Sequence, residues 1–352
     1  MPAMREPAKA MHEEPSNNRA DTLNPGTCDM RNKAPTLRRV IAIIAVISLP
    51  FLAASQVPQP SESGSGYTLK LNADMVLLSA TVLDRHNALV SGLQKNDFQI
   101  YEDGVIQQIQ HFSHEDIPVT AGIVVDNSSS MAPKRNDVIA AALAFARSSN
   151  PQDQMFVVNF NEHVSFGLPA DTPFTDRTDQ LQLALSTITT LGQTALYDGM
   201  AAALGHSTLG NSDKKVIVLI SDGGDNASKH TLAQVIEMAK HSAAIIYAIG
   251  IFDEEDNDRN PNVLARFARE TGGEAFFPES SKEIPAICEQ IARDIRAQYT
   301  LTYVPVINSR YLSYRTISVK ASAQGRGRLS VRTRTGYSVP ASGPVSAAKA
   351  LP

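Results

Sequence analysis

Hydrophobic and polar positions change rhythm twice along this chain. From residue 119 onward, short apolar runs alternate with stretches of helical periodicity. VTAGIVV (119–125) is a continuous apolar run, the pattern of a strand buried on both faces. NDVIAAALAFARSS (136–149) places Val138, Ala141, Ala142 and Phe145 on one helical face. QMFVVNF (154–160), KKVIVLIS (214–221) and AAIIYAIGIF (243–252) predict further strands, and 274–277 a short edge strand. Residues 176–191, 195–207, 231–242, 261–271 and 282–298 predict helices. Pro261 and Pro285 fall at helix starts, where proline is tolerated. Strands alternating with helices predict an α/β fold over 117–298: a doubly wound, mostly parallel sheet covered on both faces.

The flanks follow a strand rhythm instead. In 67–116, DMVLLSATVLD is rich in Val, Leu and Thr, and FQIYEDGVIQQIQHF carries the hairpin pair Asp103-Gly104. In 299–337, YTLTYVPV, YRTISVKASA and GRLSVRTRT predict three strands. The symmetry of this layout predicts that the two β segments form one small unit, with the α/β domain inserted between them. QVPQPSESGSG (56–66) reads as a flexible linker. The Ala/Pro/Ser-rich tail, 338–352, reads as disordered.

The first 55 residues form a leader. RNKAPTLRR (31–39) is basic and VIAIIAVISLPFLAA (40–54) is apolar. Fifteen apolar residues with a late proline are short for a membrane span of about 20 residues, and fit the core of a signal peptide cut ahead of Gln56. An uncleaved anchor through 40–54 is the alternative. Met30 is a candidate true start, since it would give a compact signal peptide. Either form places the protein outside the cytoplasm: periplasmic, secreted, or anchored on the outer side of the inner membrane.

Composition narrows the partners. A net charge of −4 provides no basic field for nucleic acid. The two cysteines, Cys28 and Cys288, make neither a disulfide framework nor a zinc site, and Cys288 lies in an apolar helical pattern that predicts a core thiol.

The candidate chemistry lies where the apolar strands end. DNSSS (126–130) follows VTAGIVV, and SDGGDN (221–226) follows VIVLI. In open α/β sheets ligands bind beyond the carboxyl ends of the strands. In a tight turn the first, third and fifth side chains of DxSxS converge, bringing together Asp126, Ser128 and Ser130. Asp222 adds a second carboxylate, and Thr194 in LGQTALYDG (191–199) a third hydroxyl. Such hard oxygens suit Mg2+, Mn2+ or Ca2+, with a position left for an outside oxygen, best a partner's carboxylate. The bland alternative for DNSSS is a turn cap.

These motifs resemble the metal-ion-dependent adhesion site of von Willebrand factor type A domains. The resemblance covers roughly 117–298. The flanking LDRHNALVSGLQKNDFQIYEDGVIQQIQHF and FARETGGEAFFP are similar to a bacterial VWFA-related subgroup known mainly from acidobacteria. The resemblance implies that the hydroxyls of Ser128, Ser130 and Thr194 touch the metal. It implies that Asp126 and Asp222 bind it directly or through water, and that Asn127 and Ser129 are not ligands.

Three functions follow as expectations: a metal-dependent adhesion module for a protein ligand, a metal-assisted hydrolase, or an envelope scaffold whose metal only stabilises the fold. The first leads. The chain lacks G-x-S-x-G and G-x-x-x-x-G-K-[ST], and the position two residues after Asp126 is Ser128, where an Asp-nucleophile phosphatase needs a second Asp. Asp225 reads as a turn residue or an acceptor behind the ligands and DEEDND (253–258) as a solvated acidic loop; no two of the eight scattered histidines pair at metal-ligand spacing, and His163, His206 and His230 read as surface or helix-end residues.

Overall fold

The structure, a computed structural model, describes residues 75–187, 189–252, 259–306 and 314–338. The leader, the linker, the acidic segment 253–258 and the tail beyond 338 lie outside the described residues. Six strands form the central sheet: β5 (Thr120–Asp126), β6 (Gln154–Phe160), β7 (Val164–Phe166), β8 (Lys215–Ser221), β9 (Ile245–Gly250) and β10 (Ala275–Phe276). Their order is β10-β9-β8-β5-β6-β7, parallel throughout except for β7. Every residue of β5 is buried, as the unbroken apolar run predicts.

Six helices accompany this sheet: α1 (Arg135–Ser148), α2 (Thr178–Ser186), α3 (Leu196–Ser207), α4 (Leu232–Ser242), α5 (Pro261–Thr271) and α6 (Ile284–Arg296). Helix α1 packs on α6 and α2, while α3 packs on α4, and α4 on α5. Cys288 is a buried free thiol in α6. Strand order reverses at β5, which is flanked by β6 on one side and β8 on the other, so the switch point opens between the ends of β5 and β8.

The flanking strands are β1 (Val76–Leu83), β2 (Phe98–Glu102), β3 (Val105–Gln107) and β4 (Ile109–Ser113), followed after α6 by β11 (Tyr299–Tyr303), β12 (Tyr314–Ala321), β13 (Ser330–Arg332) and β14 (Gly336–Ser338). They build two antiparallel sheets, β13-β1-β11-β4 and β14-β12-β2-β3, each mixing strands from both sides of the α/β domain. One apolar core joins the two sheets, with Leu78, Ala80, Ile100, Tyr299 and Leu301 fully or almost fully buried. Asp103 and Gly104 both take positive φ, 48° and 80°, the demand of a two-residue hairpin turn between β2 and β3.

Two sequence expectations are corrected. The helix expected over 176–191 ends at Ser186. The β-branched Thr187, Thr189 and Thr190 favour other conformations, and side chains of neighbouring elements take up the last carbonyls of α2 (below). The single strand expected over 327–335 is shorter, β13 alone, and β14 follows it from Gly336, because the chain changes sheets between them. At that crossing Arg332 pairs with Glu274 and Asp294, and Arg334 donates to the Lys240 carbonyl at 3.2 Å. Long-range ion pairing there outweighs the local alternation.

The chain enters the α/β domain before β5 and leaves it after α6, and the two crossings are clasped together. Arg296 Nε donates to Asp116 Oδ2 at 2.7 Å, and buried Lys214 Nζ donates to the Ile295 carbonyl at 2.5 Å. Burial pushes the Lys214 ammonium down from its ordinary value to about 8, against the raising influence of Asp116 and Asp153. Between about pH 8 and the unfolded value of 10.5, the folded protein binds fewer protons than the unfolded chain. Stability is therefore expected to rise with pH across that window. Lys214→Met removes this component, so urea unfolding at pH 8, 9 and 10 should give wild type a steeper upward slope than the variant.

Candidate metal centre

Asp126 is the last residue of β5, and Asp222 follows the last residue of β8. The register of these neighbouring parallel strands pairs Val125 with Ile220. Both carboxylates thus emerge side by side at the switch point, and both residues are 2% exposed. The turn after β5 is built by Asp126 itself: its Oδ1 accepts the Ser128 N–H at 2.9 Å, an Asx turn. Ser128 is extended, and a 3-10 turn over Ser129–Lys134 then leads into α1. This geometry brings the Ser128 and Ser130 hydroxyls within 3.1 Å of each other, and Ser130 Oγ donates to Asp222 Oδ2 at 2.5 Å. Asp222 Oδ1 accepts the Gly224 N–H at 3.0 Å.

Thr194 stands at the entry to α3, one residue before its N-cap Ala195. Its loop is bound on both sides. Toward the first motif, Leu191 N donates to the Asn127 carbonyl at 3.0 Å, and Ser129 N donates to the Gly192 carbonyl at 3.2 Å. Toward the second, Thr194 N donates to Asn226 Oδ1 at 2.9 Å. The Thr194 carbonyl accepts the N–H groups of Asn226 and Ala227 at 2.9 and 3.0 Å. The structure therefore brings all three motifs together in one interlocked group of loops, with the hydroxyls of Ser128 and Ser130 directly between the two aspartates' turns.

Four residues outside the expected set support this group. Ser221 donates to Asp126 Oδ2 at 2.6 Å and accepts the Gly223 N–H at 3.0 Å. Asn127, Ser129 and Arg135 tie the first loop to its surroundings. For Ser221 the sequence did hold a signal, a lone hydroxyl closing an apolar strand beside Asp222. For Arg135 it held none, since all its partners but Asn127 lie some 50 residues away in the chain.

Electrostatically the centre is short of positive charge at Asp126. Burial first, and the nearby Asp222 carboxylate second, push its carboxyl up to about 6. Hydrogen bonds from Ser128 and Ser221 oppose the shift. Among the described residues no three His, Cys, Asp or Glu side chains gather as a cage. The donors here are two carboxylates and neutral hydroxyls, all hard oxygens. That set fits Mg2+, Mn2+ or Ca2+ and does not match a thiolate–imidazole zinc cage.

The remaining candidates settle outside this centre. Asp225 accepts from Tyr197 N at 3.2 Å and from Ser228 Oγ at 2.6 Å, closing a turn against the start of α3. His230 Nδ1 lies 2.6 Å from Asp198 Oδ1. His206 packs among Phe156, Phe166 and Phe174, and His163 is exposed beside Glu162.

Residues 122–290 match the von Willebrand factor type A domain family. No curated relative matches the chain. Among solved structures the chain is similar to a von Willebrand factor type A protein from Catenulispora acidiphila, at 15% identity and a TM-score of 0.46, covering 69% of this chain and 75% of that one. It is also similar to the vWF domain of a type V pili tip protein from Porphyromonas gingivalis, at 16% identity and a TM-score of 0.44, covering 51% and 95%. A third is a proximal thread matrix protein from the mussel byssus with a zinc-occupied MIDAS motif. There the identity is 16% and the TM-score 0.42, over 51% of this chain and 48% of that one.

Proposed function

We propose, from the match of residues 122–290 to the von Willebrand factor type A domain family, that the chain is an exported protein-binding module gripping an acidic group of its partner through a divalent cation. One observation carries this reading. Two buried carboxylates, one ending β5 and one just past β8, converge at the sheet's switch point with two hydroxyls of the loop after β5, Ser130 Oγ lying 2.5 Å from Asp222 Oδ2. Asp126, Ser128, Ser130, Thr194 and Asp222 would hold the cation, Mg2+ foremost, with Mn2+ or Ca2+ as substitutes. When bound, it supplies an electrophilic centre for an outside oxygen. The hydroxyls add no charge, so two carboxylates balance a 2+ ion and leave it receptive to a partner's carboxylate. Export rests on the basic–apolar pattern of residues 31–54. Among the described residues no helix is long and apolar enough to cross a membrane.

The test is capture on an array of peptides with and without Asp and Glu, in Mg2+ and in EDTA. The expected binders contain Asp or Glu, and binding is lost in EDTA and in Asp126→Ala. Capture that ignores both chelation and the substitution would overturn the reading. Mg2+-dependent turnover of ester substrates would favour a hydrolase in its place.

A further inference from the structure

We infer that Arg135 is the positioning residue that sets the Thr194 loop against the DNSSS loop. The inference rests on the metal-binding reading above. A helix leaves its last carbonyls without intrahelical donors, and the end of α2 is met from two sides. Asn159 Nδ2, on β6, donates to the Ala184 carbonyl at 3.0 Å. Arg135 Nη2, at the first position of α1, donates to the Leu185 and Ser186 carbonyls, each at 3.2 Å. The other arm of the same guanidinium, Nη1, donates to Asn127 Oδ1 at 2.6 Å and Thr190 Oγ1 at 2.8 Å. Asn127 is buried and completes the circuit through its Nδ2, which donates to Asn159 Oδ1 at 3.0 Å.

One planar fork thus holds three pieces of chain: the second residue of DNSSS, the end of α2, and the loop four residues before Thr194. Such a fork suits arginine and not lysine, whose point charge cannot span acceptors in fixed directions. Where α2 stops decides where the 187–195 loop begins, and that loop delivers Thr194. The hydrogen bonds of Arg135 go to Asn127, Thr190 and the end of α2 and not to the candidate ligands, so its effect on the centre is transmitted. Substituting a partner bonded directly to a ligand typically weakens metal binding about 10–100-fold, and Arg135, one bond further out, is expected at the low end of that range.

Two readouts separate positioning from packing. The Mg2+ midpoint, followed by thermal unfolding of the whole protein, is expected to shift about 10-fold toward weaker binding in Arg135→Met. Thr190→Val, which removes one acceptor only, is expected to shift it less and in the same direction, and serves if Arg135→Met does not fold. In metal-free protein, hydrogen exchange at the Leu191 amide is expected to quicken in both variants, since local opening follows loss of tertiary contacts. A lowered unfolding temperature with unchanged midpoint and unchanged exchange would overturn the inference alone. Absence of any Mg2+ response in wild type would overturn the metal reading, and this inference with it.

Discussion

Glu102→Ala is expected to cost the protein about 3–5 kcal/mol of unfolding free energy, the usual penalty for stripping one partner from a buried ion pair. Glu102 and Arg315 side chains are 2% and 7% exposed, and Arg315 Nη1 donates to Glu102 Oε1. The other carboxylate oxygen accepts from Tyr303 Oη at 2.5 Å and from Tyr337 Oη at 3.0 Å. These four residues sit on β2, β12, β11 and β14. One N-terminal side chain therefore holds three C-terminal strands and bridges both sheets of the β unit. Alanine leaves a guanidinium and two phenols facing a space without an anion. Glu102→Gln keeps the volume and one acceptor, so its cost is expected to be smaller. Replacing Glu102 and Arg315 together by Leu and Met is expected to recover most of the loss, because no charge is then stranded. Urea unfolding with an unchanged m-value is the measurement. A cost below about 1 kcal/mol for Glu102→Ala would mean that water reaches Arg315 and that the pair is not buried in solution.

Mg2+ is expected to raise the unfolding temperature of wild type by about 5–10 °C, and to leave Asp126→Ala unmoved. A ligand that binds only the folded state at about 100 times its dissociation constant adds about 2.7 kcal/mol, and one kcal/mol is worth about 2–4 °C in domains of this order of size. Asp126 is the discriminating position because burial and the nearby Asp222 push its carboxyl up to about 6, a strain that a cation would relieve. The effect is expected to fade in titrations below about pH 6, where a proton occupies that carboxyl and competes with the metal. An equal rise in both proteins, or none in either, would reduce DNSSS to a turn cap.

Much of this was legible without coordinates. Continuous apolar runs named β5, β6, β8 and β9, because a strand covered on both faces has no polar alternation to hide. Asp103-Gly104 named its hairpin, because few residue pairs accept two positive φ values. The oxygen-rich motifs were readable because they lie at the carboxyl ends of β5 and β8 and at the entry to α3, where local sequence and sheet topology coincide. Local pattern failed where distant groups decided. Helix α2 stops short because Arg135 and Asn159 take its last carbonyls. The strand expected over 327–335 stops at Arg332, which answers Glu274 and Asp294. Asn127 supports the centre through hydrogen bonds to Asn159 and Arg135 that no spacing encodes.

The sequence by itself determined the alternation of strands and helices, the two flanking β segments and the oxygen-rich ends of two strands, since each depends on neighbours within a few residues. Only the tertiary structure decided which carboxylates meet, how residues 126–130, 191–194 and 221–226 lock together, and that Glu102 binds strands more than 190 residues away. Those pairings are set by burial, which makes an unpartnered polar group costly enough to select its partner from any part of the chain.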